Sequence, residues 1–130
     1  MQQVTAAILI KDNKILIAKR SAKGKVPHKW EFPGGKIENG ETPEECLKRE
    51  MNEEFGIKIN VGAYFGNSIY DYSHGEIELL AFFVEWISGS MAPAVHDEIR
   101  WVTQEELGNY DFAPADIPIV DKLLNMKMLK

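Results

Sequence analysis

The chain has 130 residues, of which 45% are hydrophobic and 27% charged, and its formal net charge at pH 7 is -5. This balance predicts one packed core and argues against a nucleic-acid polymer as the main partner, because such proteins usually carry a basic surface. The apolar run at residues 4–10 has no basic leader and is too short to span a membrane, and the single cysteine, Cys46, excludes a disulfide framework. We therefore expect one cytoplasmic domain over residues 1–130 with no membrane partner. Whether it is a monomer or a homodimer stays open.

The first quarter of the chain predicts short strands and a basic loop. Residues 4–10 and 14–19 predict two strands joined by a hairpin turn, and residues 30–32 predict a third strand. Basic side chains that are candidates for phosphate binding precede and enter this third strand: Lys19, Arg20, Lys23, Lys25 and Lys29. For any single lysine, a solvated loop position is the ordinary alternative.

Residues 43–55 predict a helix whose two ends are both marked in the sequence. Thr42 is a capping residue, Pro43 occupies the first helical position, and Glu45 stands at the capping-box position. Leu47, Met51 and Phe55 recur every four residues as an apolar stripe, and Gly56 follows as a left-handed terminator.

Three carboxylates lie along one face of this predicted helix. Glu50, Glu53 and Glu54 are spaced by three and four residues, so they repel one another unless a cation lies between them. Oxygen ligands of this kind favour a hard divalent cation such as Mg²⁺. Arg49 would orient a neighbouring carboxylate. Ahead of the helix, residues 33–35 form a glycine loop, which would let Gly35 offer a backbone oxygen to the same cation.

The rest of the chain mixes strands and helices without strict alternation. Strands are predicted at residues 58–65, 68–72, 76–87 and 98–102, with a turn at residues 73–75, and helices at residues 103–107 and 118–129. This order predicts an α/β sandwich around a mixed β-sheet. The histidines His28, His74 and His96 share no ligand spacing and are not assigned to a metal.

The pattern around the predicted helix resembles the Nudix box, the signature of hydrolases that act on nucleoside diphosphates linked to another group. Every fixed position is filled: Gly35, Glu41, Arg49, Glu50, Met51, Glu53, Glu54, Gly56 and Ile57. Residues 29–38 also resemble the MutT branch of the family, which hydrolyses oxidised nucleotides. Residues 112–118 are similar to the base-reading segment of that branch and closer still to its cytidine triphosphate pyrophosphohydrolases. The resemblance implies a Nudix-type α/β/α sandwich.

The resemblance also implies a nucleoside triphosphate pyrophosphohydrolase that requires Mg²⁺, or Mn²⁺, and releases a nucleoside monophosphate and pyrophosphate. The expected metal ligands are Gly35, Glu50, Glu53 and Glu54, and the expected substrate contacts are Arg20, Glu31, Phe32 and Asp116. Catalytic roles are expected for Arg49, for Glu53 as the acceptor of a proton from water, and for Glu98. Nudix enzymes often hold a further ligand or base at the position of Asp97 and Glu98, of which Glu98 is preferred; a solvated loop is the alternative.

The base that is bound depends on Asp116. It would either cap the last helix or read the base. An ionised carboxylate matches two adjacent N–H donors of guanine, whereas cytosine would require a protonated carboxyl. This predicts 8-oxo-dGTP as the substrate of a nucleotide-pool sanitiser, with CTP or modified dCTP as the alternative; MutT itself carries asparagine at this position.

Two further questions stay open at this point. The aromatic side chains that would stack on the base are Phe32, Tyr72 and Phe82, each with a core position as the alternative. A sensing module that binds a nucleotide without turnover is another interpretation, which the intact box disfavours.

Overall fold

A computed structural model describes residues 1–20, 28–73, 75–94, 96 and 98–127 of the chain. The strands are β1 (Gln2–Lys11), β2 (Lys14–Lys19), β3 (Trp30–Glu31), β4 (Lys58–Tyr72), β5 (Gly75–Ser88) and β6 (Glu98–Val102). The helices are α1 (Pro43–Phe55), α2 (Ile117–Leu124) and two short 3-10 helices, Glu105–Asn109 and Pro114–Asp116. Lys23, Lys25, His74 and Asp97, which the sequence singled out, lie outside the described residues.

The described strands form one mixed sheet in the order β3-β2-β1-β5-β4, with β6 paired to β2. β1 runs parallel to β5, and the other pairs are antiparallel. Alternate residues of β1 enter two apolar clusters: Ala6 and Ile8 pack with α2, while Ala7 and Leu9 pack with α1. Successive side chains of a strand point to opposite faces, so β1 is buried on both sides. The predicted α/β sandwich around a mixed sheet is confirmed.

The loop ahead of α1 is fastened along the edge of β1 that faces away from β5. β1 and β2 pair only beside their hairpin, at Ile10 and Lys11. Nearer its start, β1 donates from Thr5 N to Gly35 O over 2.8 Å and from Ala7 N to Pro33 O over 2.7 Å. The glycine loop therefore takes the place of a neighbouring strand, and its backbone is held rigidly against the sheet.

The helix predicted from residues 43 to 55 is confirmed at both ends. The Thr42 side chain accepts from Glu45 N over 3.1 Å, and the Glu45 carboxylate accepts from Thr42 N over 2.9 Å. Gly56 ends the helix in the left-handed region at φ 72°. Because both ends are closed by local contacts, the sequence alone was sufficient to place this element.

The bounds of β4 and of the last helix differ from those predicted. Residues 58–65 and 68–72 belong to one continuous strand, β4, whose register shifts between Val61 and Gly66 absorb the break in alternation. The last helix ends at Leu124, not at residue 129. There the side-chain amide of Gln104 donates to the carbonyls of Leu123 and Met126, so a distant residue satisfies the carbonyls at the helix end.

Residues 103–107 form the predicted capping box, with Thr103 N donating to Glu106 Oε1 and Glu106 N to Thr103 Oγ1. The turn that follows is a 3-10 helix and starts later than predicted, at Glu105. Within the described part of the chain, no helix is both long and apolar enough to cross a membrane.

Candidate active site

A cavity of about 410 Å³ opens where the glycine loop, α1, the end of β4 and the Pro114–Asp116 turn meet. Seven of the predicted site residues line it: Arg20, Glu31, Phe32, Gly35, Glu50, Glu54 and Asp116. They come from segments far apart in sequence, and the sheet brings them together. Arg49, Glu53 and Glu98 are not among the described residues that line it.

Glu50 and Glu54, one turn apart on α1, form the acidic end of the cavity. The Oε1 atom of Glu54 is buried and has no hydrogen-bond partner among the described residues. Burial, together with the charges of Glu50 and Glu31, raises the pKa of Glu54 to about 8. A buried carboxylate oxygen without a partner is costly, and a bound cation would remove that cost.

The backbone of Gly35 lies against this acidic end. A Cβ atom at Gly35 would lie 2.4 Å from Cδ of Glu50 and 2.5 Å from its Oε1, so only glycine lets the carboxylate approach the loop. The Gly35 carbonyl accepts from Thr5 N over 2.8 Å and, in longer contacts, from Thr5 Oγ1 over 3.3 Å and Cys46 Sγ over 3.5 Å. A cation there would replace these two longer contacts.

The residues at this end fit a hard divalent cation. Among the described residues, no three histidine, cysteine or acidic side chains converge into a complete metal shell. Mg²⁺ does not require one, because it is commonly held by one or two carboxylates together with waters and substrate phosphates. The pair Glu50 and Glu54 with the Gly35 carbonyl suits that mode.

Arg49, which is not among the described residues that line the cavity, binds the carboxylates of Glu41, Glu50 and Glu53. Its Nε donates to Glu41 Oε2 over 2.6 Å and its Nη2 to Glu41 Oε1 over 3.0 Å, a bidentate pair. Its Nη1 donates to Glu50 over 3.0 Å and to Glu53 over 3.1 Å. The hydrogen bonds from Arg49 lower the pKa of Glu41 to about 2. Arg49 thus orients Glu50, as the sequence predicted, without lining the cavity.

Glu53 and Glu98 point elsewhere. Glu53 is 58% exposed and pairs with Arg49. Each helical residue turns by about 100°, so Glu50 and Glu54 face inward together while Glu53 lies to one side. Glu98, on β6, pairs with Arg100 over 2.7 Å. The catalytic roles of Arg49, Glu53 and Glu98 stay predictions, and so does the place of Glu53 among the metal ligands.

Asp116 lies at the opposite end of the cavity and is 5% exposed. Its Oδ1 accepts from Phe32 N over 3.0 Å, and its side chain makes no capping bond to α2, so the capping interpretation was wrong. Burial, with the charge of Glu31, raises the pKa of Asp116 to about 8. Burial therefore favours the neutral carboxyl over the carboxylate. The guanine prediction assumed an ionised carboxylate, and burial removes that assumption.

Two of the three aromatic candidates lie beside the cavity. Phe32 and Tyr72 line it, and the Tyr72 hydroxyl accepts from Ala115 N over 2.9 Å. Phe82 instead belongs to the apolar cluster that packs on α1, and its ring contacts that of Tyr64. Phe82 is therefore a core residue.

A charged network that the sequence did not predict lies between the two ends. Arg20 Nε donates to Glu31 Oε1 over 2.7 Å, and His96 Nε2 lies 2.8 Å from Glu31 Oε2. His96 carries no ligand spacing and stands 65 positions from Glu31, so no local signal pointed to it. Lys29 pairs with Asp111 over 2.6 Å and is not among the described residues that line the cavity.

Known proteins share the sequence pattern and the fold of this chain. The model of the NUDIX domain matches residues 1–123. The chain therefore belongs to the Nudix family of hydrolases, whose members use divalent metal ions such as Mg²⁺ and act on small-molecule nucleotides. That all 130 residues form one domain stays a prediction.

Similar proteins match over nearly their whole length. The CTP pyrophosphohydrolase of Escherichia coli (strain K12) is 37% identical over 127 residues, which cover 98% of this chain and 94% of that protein. The 8-oxo-dGTP diphosphatase of the same organism is 35% identical over 123 residues, covering 95% of each. The solution structure of the Escherichia coli ORF135 protein superposes with a TM-score of 0.85 at 38% identity, covering 95% of this chain and 89% of that one.

Proposed function

We propose that this protein is a metal-dependent pyrophosphohydrolase that converts a nucleoside triphosphate into a nucleoside monophosphate and pyrophosphate. One observation carries the proposal: a single cavity has a crowded carboxylate pair at one end and a buried, hydrogen-bonded carboxyl, Asp116, at the other. The first end suits a cation with phosphates, and the second suits the polar edge of a base.

Glu50, Glu54 and the carbonyl of Gly35 are the proposed holders of the divalent cation. When bound, Mg²⁺ would neutralise phosphate charge and lower the pKa of a water in line with one phosphorus. Arg49 keeps Glu50 in position through its 3.0 Å bond. Glu53 is the proposed acceptor of the proton from that water. It lies to one side of Glu50 and Glu54, and Arg49 Nη1 donates both to it, over 3.1 Å, and to Glu50, over 3.0 Å.

The proton-acceptor assignment has a direct test. A Glu53→Gln variant should lose most of its turnover, and unchanged turnover would contradict the assignment. Glu98→Gln is the parallel test of Glu98. The described side-chain contact of Glu98 is with Arg100, which is not among the described residues that line the cavity. A large loss of turnover in Glu98→Gln would therefore assign the proton acceptor to Glu98 on β6.

The remaining contacts would bind the nucleotide. Arg20 is the proposed phosphate contact, held by Glu31 at the cavity wall. Phe32 and Tyr72 are the proposed aromatic neighbours of the base, and Asp116 its hydrogen-bonding partner. A neutral Asp116 carboxyl offers one donor and one acceptor side by side.

That donor and acceptor pair accommodates a cytosine-type base. Cytosine presents an amino donor next to a ring acceptor, which a neutral carboxyl matches and an ionised one does not. The similarity to a CTP pyrophosphohydrolase supports the same choice. We therefore propose CTP or a modified dCTP as the substrate.

An oxidised guanine nucleotide, 8-oxo-dGTP, is the second candidate. The similarity to 8-oxo-dGTP diphosphatases supports it. A neutral carboxyl also matches the O6 acceptor and adjacent N1–H donor of guanine, so Asp116 would still contact that base. Under this candidate the protein would act as a nucleotide-pool sanitiser.

The experiment is pyrophosphate release with Mg²⁺ from 8-oxo-dGTP, dGTP, CTP, dCTP and 5-methyl-dCTP, compared by kcat/KM. Preference for the cytidine series supports the proposal, and preference for 8-oxo-dGTP selects the second candidate. Release from none of them, with binding retained, would favour a sensing module.

Asp116→Asn keeps a neutral donor and acceptor and should retain the substrate preference at pH 7, whereas Asp116→Ala should lose it.

A further inference from the structure

His96 is a buried histidine that the proposed chemistry does not use. Its side chain is 4% exposed, and its ring stacks on Phe55 of α1 with centroids 5.3 Å apart and planes 16° apart. Its Nε2 lies 2.8 Å from Glu31 Oε2. Its Nδ1 is buried without a partner in the part of the chain that the structure describes. The ring therefore directs its one described polar contact at Glu31.

The segment that carries His96 is fastened to the last turn of α1. Ala92 N donates to the Phe55 carbonyl and Ala94 N to the Glu54 carbonyl, both over 2.9 Å. His96 thus has a fixed base on the helix that supplies Glu50 and Glu54, and it reaches from there to a carboxylate on β3. This path joins the acidic end of the cavity to its middle.

Glu31 is held from both sides. Oε1 accepts from Arg20 Nε over 2.7 Å, and Oε2 faces His96. Because Glu31 already accepts from a guanidinium, it acts as a carboxylate acceptor, and the His96 ring must carry its proton on Nε2 to donate to it. With Arg20 as its only partner, the carboxylate would be free to turn about its last bonds, and the bonded Arg20 side chain would turn with it.

We infer that His96 is a positioning residue that, with Arg20, fixes the Glu31 carboxylate in the cavity wall and thereby sets Arg20 for the substrate phosphates. The inference rests on the proposed function for the identity of the ligand. The contacts of His96 with Glu31 and Phe55, however, are present in the protein without substrate. The effect should fall on nucleotide binding, because Arg20 and Glu31 would touch the substrate before the reaction as well as during it.

Two substitutions separate the hydrogen bond from the packing. His96→Phe keeps an aromatic ring on Phe55 and removes the donor to Glu31, while His96→Gln keeps an N–H donor close to the position of Nε2. We expect His96→Phe to lower kcat/KM by roughly 10- to 100-fold, mainly through KM, and His96→Gln to recover most of the loss. His28→Asn, a substitution of an exposed histidine outside the cavity, is the matched control and should leave kcat/KM unchanged.

A merely structural role would give a different pattern. It would lower Tm in both His96 variants and leave kcat/KM of the folded protein unchanged, and that result would overturn the inference. The decisive comparison is made in a Glu31→Met background, in which residue 31 can no longer hydrogen-bond to His96. If His96 acts through Glu31, adding His96→Phe there should cause no further loss, whereas additive losses would overturn the inference.

A binding measurement keeps this test separate from the proposed reaction. If the wild-type protein releases no pyrophosphate, the proposed function fails. Calorimetric binding of a methylene-bridged CTP analogue, or the 8-oxo-dGTP counterpart, with Mg²⁺ then replaces kcat/KM. About tenfold weaker binding in His96→Phe, absent in the Glu31→Met background, supports the inference. Unchanged binding, or no binding by the wild type, overturns it.

Discussion

The Asp116 carboxyl accepts a 3.0 Å hydrogen bond from the backbone N–H of Phe32, which lies 84 positions earlier in the chain. This bond joins the turn ahead of α2 to the start of the glycine loop. It occupies one oxygen of the carboxyl in the wall of the cavity. Because Asp116 is buried, its charge state determines both how it contacts a ligand and how it affects stability.

Asp116 should make the metal-free protein less stable as the pH rises from about 4 to about 8. Burial raises its pKa in the folded state to about 8, while an unfolded aspartate titrates near 4, so the folded state binds more protons in this window. Stability from this group is therefore complete below about pH 4 and is lost as the pH passes through 8. Asp116→Asn should match the wild type near pH 4 and exceed it by a growing margin as the pH rises to about 8.

Urea unfolding of both proteins in a chelator at pH 4, 7 and 8 measures the difference. Asp121→Asn, on the exposed side of α2, is the control and should leave the pH dependence of the wild type unchanged. If Asp116→Asn and the wild type keep a constant difference across this range, Asp116 does not have a raised pKa.

Mg²⁺ binding at pH 7 should release about one proton from the Glu50 and Glu54 pair. The pKa of Glu54 is raised to about 8 without a cation, and ligation requires the ionised form. Calorimetry in buffers of different ionisation enthalpy counts the protons. Affinity should rise with pH up to about 8, and Glu54→Gln should bind weakly with no release. Glu53→Gln, on the exposed side, should retain the release; its absence there would place the proton on Glu53 instead.

Alanine substitutions of the two neighbouring loop glycines, Gly34 and Gly35, should have different effects. A Cβ at Gly34 would lie 2.0 Å from the Thr5 carbonyl oxygen, a backbone atom, so Gly34→Ala should lose about 1–3 kcal/mol of stability or fail to fold. At Gly35 the Cβ would meet the Glu50 carboxylate, which can move. Gly35→Ala should therefore fold and bind Mg²⁺ at least tenfold more weakly, by an order-of-magnitude estimate. Urea unfolding and calorimetry test the pair, and equal effects of the two changes would contradict this assignment.

The Glu41 and Arg49 pair should contribute stability that acid removes. The pKa of Glu41 is lowered from 4.5 to about 2, so its contribution is present above about pH 4.5 and is lost as the pH falls through about 2. The difference in unfolding free energy between the wild type and Glu41→Gln should shrink over that window. Glu85→Gln, at an exposed position, is the control. A difference that stays constant down to pH 2 would show that the pair does not depend on the charge of Glu41.

Local signals were enough for α1 and for the carboxylates it carries. The capping box at Thr42, the terminator Gly56 and the apolar stripe are contacts within one helix, so their spacing in the sequence predicts the element and the face of Glu50 and Glu54. The same spacing did not show that Glu53 would turn outward to Arg49, since that depends on how the helix is rotated against the sheet.

The middle of the chain and its C-terminal end depended on distant contacts. β4 reads as two strands because its alternation breaks, and only pairing with β5 shows that register shifts absorb the break. The end of α2 is decided by Gln104, which reaches its last carbonyls from outside the helix. In both places the partner that satisfies the backbone lies far along the chain, so a local pattern carries no information about it.

The sequence by itself determined the family, the sandwich fold and the carboxylate cluster, because these follow from the spacing of residues within single segments and from apolar periodicity. Only the tertiary structure decided the charge state of Asp116 and the partners of Glu31. A carboxyl becomes neutral through the residues that cover it, and His96 reaches Glu31 across 65 positions through packing on Phe55. Desolvation and long-range contact are properties of the folded chain, so no local pattern of residues encodes them.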